Sequence, residues 1–292
     1  MTFRGAFTAL VTPYQNGEFD EERYRALVEW QIEQGIHGLV PCGTTGEAAT
    51  LSHAEQGRVV GVCVDQAKGR VPVIAGAGSN NTREAIELTR LAQEAGVDGA
   101  LQITPYYNKP TPDGLVAHFQ AIAAEASLPF IIYNVPGRTG LNCLPSTLAR
   151  IASEVPEVVG VKEATANLQQ LSDVLEQCGR SFTLLSGDDF TVLPSLALGG
   201  DGVISVTSNI APALMAGMCE AFFNGDLAKA QDLHFEMQPL CRAMFLETNP
   251  IPVKTSLALM GKVNKEFRLP MCPMTTPNET ALRDVLGKAG LI

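Results

Sequence analysis

Aromatic side chains make up only 6% of the 292 residues, acidic side chains outnumber basic ones by 31 to 21, and no apolar run approaches a membrane span in length. Each shortage excludes something. A formal net charge of −10 leaves no basic face for nucleic acid or an anionic membrane, so neither is expected as a partner. The start, Met1-Thr2-Phe3-Arg4-Gly5, has neither the basic stretch nor the long apolar core of a secretory signal, and the protein is expected in the cytoplasm. The seven cysteines (Cys42, Cys63, Cys143, Cys178, Cys219, Cys241 and Cys272) are odd in number and include no Cys-x-x-Cys pair, which argues against both a disulfide framework and a zinc site. The histidines, His37, His53, His118 and His234, have no metal-ligand spacing, so no metal is expected. Linkers are missing too: no Ser/Pro/Gly tract, charge block or low-complexity run marks a flexible boundary.

What is present is a large apolar fraction, 46%, arranged in a repeating pattern. Short apolar runs suited to strands lie at 6–11, 38–42, 71–75, 99–103, 130–133, 158–163, 182–185 and 202–205. Helical patterns lie between them, at 21–34, up to about 67, and at 81–95, 112–126, 145–152, 167–177 and 190–198. Eight such units over about 220 residues predict an α/β fold, a (β/α)8 TIM barrel, rather than a doubly wound sheet, since no Gly-x-Gly-x-x-Gly follows the first strand. The predicted division is a catalytic barrel over 1–224 and a C-terminal helical appendage of about three helices over 225–292, punctuated by Pro239, Pro250, Pro252, Pro270 and Pro273. In such barrels the chemistry sits in the loops that follow the strands.

One strand carries an anomaly. In Val158-Val159-Gly160-Val161-Lys162-Glu163 the alternation of faces would put Val158, Gly160 and Lys162 on one side and Val159 and Val161 on the other, both largely apolar. A lysine desolvated there gives up its proton easily and becomes an amine able to form a Schiff base with a carbonyl substrate. A strand-end lysine can equally reach out to water. Of the remaining lysines only Lys254 competes with Lys162; the others sit among polar or turn-forming neighbours.

The strand-end loops supply further candidates. Gly43-Thr44-Thr45-Gly46-Glu47 offers hydroxyls and free backbone amides where a helix is expected to begin, an anion site or else an ordinary capped turn. Gly187-Asp188-Asp189 is an opening without bulky side chains, its aspartates most simply helix caps. Thr104 to Pro110 and Tyr133 to Gly140 bring Tyr106, Tyr107, Tyr133 and Arg138 to the mouth. Phenols relay protons poorly at neutral pH unless chained to other hydroxyls, which Thr44 could provide. Arg138 could grip a carboxylate bidentately, or stand solvated on the surface.

Together these motifs resemble the dihydrodipicolinate synthase family, a branch of the pyruvate-dependent class I aldolases. The resemblance runs through Gly43–Glu47, Thr104–Pro110, Tyr133–Thr139, Val161–Thr165, Ser186–Asp189 and Asn249–Lys254, and so covers essentially the whole chain. It implies a lyase that condenses pyruvate with L-aspartate 4-semialdehyde in lysine and diaminopimelate biosynthesis, with no cofactor beyond the Schiff base on Lys162. By position it implies Tyr133 as proton donor and acceptor, with Thr44 and Tyr107 completing a relay. Thr45 and the Ile204 backbone would hold pyruvate, Gly187 would belong to the substrate-binding set, and Arg138 would receive the semialdehyde carboxylate. It makes Lys254 structural, and it implies a homotetramer built as a dimer of dimers in which Tyr107 reaches a neighbouring site.

The same resemblance implies a lysine-binding cleft comprising Ala48, Ala49, His53, Gln56, Asn80, Glu84 and Tyr106. Ala48 and Gln56 depart from the family's serine and histidine, so weak feedback is expected. The rival reading is another pyruvate-type lyase on this barrel, such as an N-acetylneuraminate lyase or a keto-deoxy sugar acid aldolase, which would keep Lys162, Tyr133 and Thr44 but present a more hydroxyl-rich mouth than Arg138 does.

Overall fold

The computed structural model describes residues 3–292. Eight strands form one parallel sheet: β1 (Gly5–Ala9), β4 (Gly38–Val40), β5 (Ile74–Gly76), β6 (Gly99–Ile103), β7 (Phe130–Asn134), β8 (Val158–Glu163), β9 (Thr183–Ser186) and β10 (Gly202–Ser205). Their order is β4-β1-β10-β9-β8-β7-β6-β5, and a parallel bridge between Leu39 and Val73 joins the two ends into a (β/α)8 barrel. The alternation of side chains sorts each strand into two layers. Phe7, Ala9, Ile131, Tyr133, Leu185 and Ile204 fill the interior with Phe3, Val40, Ile74 and Leu101. Ala6, Phe130, Ile132, Leu184 and Val203 pack outward under the helices.

The helices are α1 (Glu21–Glu33), α2 (His53–Ala67), α3 (Thr82–Glu94), α4 (Pro112–Ala123), α6 (Pro145–Glu154), α7 (Leu168–Cys178), α8 (Val192–Leu198) and α9 (Pro212–Phe223) around the barrel. They are followed by α10 (Leu227–Ala243), α11 (Ile251–Leu259) and α12 (Thr276–Lys288). Their starts follow local chemistry: Asp20, Asn81, Thr111 and Asn167 accept from first-turn amides, and Ser52 with Glu55 forms a capping box. The sequence patterns miss three elements. The hairpin of β2 (Tyr14–Gln15) and β3 (Glu18–Phe19) is too short to alternate, and α5 (Pro136–Thr139) is a single turn closed by Gly140 at φ +70°. The third, α9, reads PALMAGMCEAFF, and a helix apolar on nearly every side shows no polar stripe.

The alternation predicted for the Lys162 strand fails at its beginning. The register shifts between Phe130 and Ile131, pairing Val158 with Phe130 and Gly160 with Ile131. Val159 is passed over, so Val158 packs outward with Val161 while Val159 packs against the interior cluster. The irregularity resets the parity, and Lys162 still pairs with Tyr133 and Leu185, both interior residues.

Closure between the first and last strands uses buried polar groups. Thr8 Oγ1 on β1 donates to Gln31 Oε1 of α1 (2.7 Å) and lies 2.8 Å from Ser208 Oγ. Gln31 Nε2 donates to the carbonyls of Ser208 and Asn209, both at 3.1 Å. Asn209 in turn accepts from Val11 N and donates to Ala9 O. This network fixes the turn after β10 against β1, and Thr8 Oγ1 and the carbonyls of Ser208 and Asn209 would each lose a partner if Gln31 were shortened. Gln31→Ala should therefore cost about 1–3 kcal/mol per stranded buried group, read as a lowered denaturation midpoint; an unchanged midpoint would show that water replaces the amide.

Candidate active site

Lys162 lies at the carboxyl end of β8, 6% exposed, with Nζ 4.2 Å from the centre of the Tyr133 ring. Burial lowers its pKa to about 8, with the Asp189 carboxylate opposing that shift and the Arg138 guanidinium adding to it. Space for the side chain is made by glycine: a Cβ at Gly187 would stand 2.6 Å from Ala164 Cβ and 3.1 Å from Lys162 Cε. Asp189 does not cap its own turn as expected. Its Oδ2 accepts from Val206 N (3.2 Å) and Thr207 N (2.8 Å), holding the loop after β10 to the loop after β9. The neighbouring Glu163 carboxylate is also buried, but Asn134, Gln170 and the Thr165 amide satisfy it.

The loop after β4 departs from its expected form. No helix begins there; a 3₁₀ turn at Ala48–Thr50 comes first, and α2 starts only after Ser52. The amides of Gly46, Glu47 and Ala48 are taken up by the carbonyls of Gly43, Thr44 and Gly43, so the loop is a closed turn in which the amides of Thr44 and Thr45 take no part. Thr45 is buried and its Oγ1 accepts from Asn249 Nδ2 (3.0 Å). Glu47, at φ +54°, turns its carboxylate onto Lys254 Nζ at 2.6 Å.

Tyr133 is the last residue but one of β7, beside this loop. Burial raises its pKa, while Arg138 and the nearby hydroxyl of Thr44 pull the other way. Arg138 stands on α5 with its side chain exposed, and its Nη2 donates to the Asn249 carbonyl (3.2 Å). Lys162, Tyr133, Thr44, Thr45, Arg138 and Gly187 all line one cavity of about 180 Å³, closed on other sides by Leu101, Val135, Ala164 and Phe245. The Ile204 side chain belongs to the interior cluster below, and Val206 provides the cavity wall on that side. Tyr107 stands apart: it is 91% exposed at φ +66° and lines no part of the cavity within this chain.

A second cavity, about 380 Å³, shares Gly43, Thr44, Leu101, Tyr133, Arg138 and Asn249 with the first and extends toward α2 and α3. Ala48, Ala49, His53, Gln56, Glu84 and Tyr106 line it. Asn80 does not, but its Nδ2 donates to the Tyr106 carbonyl (3.2 Å). Gln56 Nε2 is already committed to Ala48 O (3.2 Å), and Glu84 Oε2 accepts from Ser79 Oγ (2.8 Å). Among the described residues no three His, Cys, Asp or Glu side chains gather as a metal site, and no helix is long and apolar enough to cross a membrane.

An amine of depressed pKa against a phenol, in a largely apolar cavity with a guanidinium at its mouth, can add to a carbonyl and hold a carboxylate nearby. Sequence reasoning missed Asn249, Phe245 and the bridging role of Asp189. Asn249 lies 204 residues from Thr45 and 111 from Arg138, and Phe245 meets the ring of Phe190 across more than fifty residues, beyond any local pattern.

The dihydrodipicolinate synthetase family model matches residues 2–289. The 4-hydroxy-tetrahydrodipicolinate synthase of Maridesulfovibrio salexigens is 70% identical over 292 residues, all of both chains. Among solved structures, the chloride-inhibited dihydrodipicolinate synthase of Acinetobacter baumannii complexed with pyruvate is 44% identical, with TM-score 0.97 and full coverage of both chains. The Cyanidioschyzon merolae enzyme with lysine bound is 41% identical, with TM-score 0.96 and 99% of each chain covered. A full-length match to the family model, together with relatives of this identity, shows that the chain belongs to the dihydrodipicolinate synthetase family.

Proposed function

We propose that the chain is a lyase that carries out the 4-hydroxy-tetrahydrodipicolinate synthase reaction, condensing pyruvate with L-aspartate 4-semialdehyde in lysine and diaminopimelate biosynthesis. The observation that carries the site assignment is the buried, deprotonation-prone Lys162 facing Tyr133 in a cavity that also holds Thr44, Thr45 and Arg138. Lys162 Nζ adds to the C2 carbonyl of pyruvate and, with loss of water, forms an iminium. Loss of a methyl proton gives the enamine, whose carbon attacks the aldehyde of the second substrate. The amino group of that substrate then attacks the iminium carbon, closing the ring and releasing Lys162.

In this reading Tyr133 moves the protons, passing them through Thr44. Tyr107 of a neighbouring subunit completes the relay, which accords with its exposure within a single chain. Thr45 and the Ile204 backbone hold pyruvate, Gly187 belongs to the substrate-binding set, and Arg138 receives the semialdehyde carboxylate. The assembly is a homotetramer, a dimer of dimers, working in the cytoplasm with no cofactor but the Schiff base. The barrel over 1–224 carries the chemistry, and the helices over 225–292 form the appendage.

Treatment with pyruvate and borohydride should leave a reduced adduct on Lys162, located by peptide mass; an adduct on Lys254 would overturn the assignment. Only the neutral amine adds to a carbonyl, so trapping should quicken as pH rises and level off above about 8. A rate flat through that range would contradict the lowered pKa. Arg138→Ala should weaken use of the semialdehyde by roughly ten- to a hundredfold, the worth of a charge-assisted hydrogen bond, while leaving imine formation largely intact. Equal damage to both substrates would make Arg138 structural, and strong cleavage of a sugar acid without condensation would favour the rival aldolase reading.

Lysine is proposed to enter the larger cavity at Ala48, Ala49, His53, Glu84 and Tyr106, with Asn80 acting from outside the lining through its bond to the Tyr106 carbonyl and the Glu84 carboxylate facing the ligand's ammonium group. Ala48 offers no hydroxyl, and the Gln56 amide is spent on the Ala48 carbonyl. An effector changes activity only through its differential affinity for the enzyme's states. Calorimetry beside a rate assay should therefore show weak binding and little inhibition; tight binding with strong inhibition below about 1 mM would show that the two departures are immaterial.

A further inference from the structure

The Lys254–Glu47 pair is the deepest ionic contact among the described residues. Lys254 and Glu47 have side-chain exposures of 0% and 2%, whereas the next most buried pair among the described residues, Arg268 with Glu55, retains 19% and 29%. A buried ion pair is seldom kept for stability, because desolvation offsets most of the attraction and an apolar pair of the same size serves as well. Its place in the fold suggests another use. Glu47 closes the same turn that carries Thr44 and Thr45, since Glu47 N donates to the Thr44 carbonyl (3.1 Å). Lys254 lies on the first turn of α11, five residues after Asn249, whose amide holds the Thr45 hydroxyl. The other Glu47 oxygen accepts from Arg268 N (3.2 Å), and Thr12 Oγ1 donates to Gly46 O (2.7 Å). The turn is thereby held at Thr45, Gly46 and Glu47, and three of these anchors, from Asn249, Lys254 and Arg268, come from more than 200 residues downstream.

We propose that Glu47 and Lys254 are positioning residues for the condensation: their ion pair, with Asn249, sets where the Thr44 and Thr45 hydroxyls stand relative to Lys162 and Tyr133, so that the segment 249–254 belongs functionally to the active site. The proposal rests on the roles given above to Thr44 and Thr45. Neither Glu47 nor Lys254 touches the reacting atoms in this scheme. The ion pair acts at one remove, by forbidding the turn to shift, and a displacement of about 1 Å at a reacting centre can cost on the order of a hundredfold in rate.

The test compares Lys254→Met, which strands a buried carboxylate, with Glu47→Gln and Lys254→Met combined, which removes both charges. The double variant should recover much of the thermal stability that the single one loses. It should nevertheless keep a kcat lower by about a hundredfold and a raised pyruvate KM, with the semialdehyde KM unchanged. Recovery of wild-type kcat and pyruvate KM together with stability would overturn the proposal, leaving the pair merely structural. Should the double variant not fold, Glu47→Asp keeps both charges but withdraws the carboxylate by one methylene. Slower borohydride trapping of pyruvate on Lys162 is then expected, and trapping at the wild-type rate would refute positioning. Failure of the wild-type protein itself to trap pyruvate on Lys162 would instead sink the functional reading on which the proposal stands.

Discussion

Placing an ammonium group where water cannot solvate it is the constraint around which the site is arranged. Desolvation penalises the charged form of Lys162, and nothing at the carboxyl end of β8 fully repays it. The nearest compensation is weak: a phenol face at 4.2 Å and an aspartate already engaged with two backbone amides. The fold tolerates this because the side chain ends in a cavity, not in packed apolar atoms, and because Gly187 leaves the path to that cavity open. A side chain at position 187 would clash with Ala164 Cβ at 2.6 Å and press on Lys162 Cε at 3.1 Å, so the glycine keeps both the end of β8 and the lysine in place.

Lys254 shows that burial alone does not make a nucleophile. Its pKa is also lowered, to about 8, and its exposure is lower still. The difference lies in the partners. Lys254 Nζ is spent on the Glu47 carboxylate and packed over the Tyr14 ring at 3.9 Å, so its lone pair has no path to a substrate. Lys162 has no carboxylate in contact and borders open space. The same desolvation thus produces an anchor where a counter-charge is supplied and a reactive amine where one is withheld.

Most of the fold was legible because it is repetitive. Eight apolar runs separated by amphipathic helices leave few architectures, and the strand ends then locate the loops that matter. The residues of those loops that meet in the cavity, Thr44, Thr45, Tyr133, Arg138, Lys162 and Gly187, are ones that the motifs themselves point to. What escaped is what lies outside local periodicity. The hairpin at Tyr14–Phe19 has too few residues to alternate, and α9 has no polar face to betray it. Asn249 and Phe245 reach the site from a helical region whose sequence reads as packing.

The strand of Lys162 shows why a correct residue can be reached through a wrong detail. Strict alternation put Val158 beside Lys162, yet the register shift opposite Phe130 and Ile131 turns Val158 outward and leaves Val159 against the interior. A shift of parity at the start of a strand does not disturb its other end, provided that pairing resumes, as it does from Gly160 to Glu163 against both β7 and β9. The direction of Lys162 is therefore fixed by its two flanking strands, with Tyr133 on one side and Leu185 on the other, and not by the valines that precede it. Gly160 admits this arrangement, since a Cβ there would stand 2.4 Å from the Thr183 carbonyl oxygen and 2.9 Å from Ile131 Cδ1. The glycine beside Lys162 thus makes room for the neighbouring strands to close on the one that carries it.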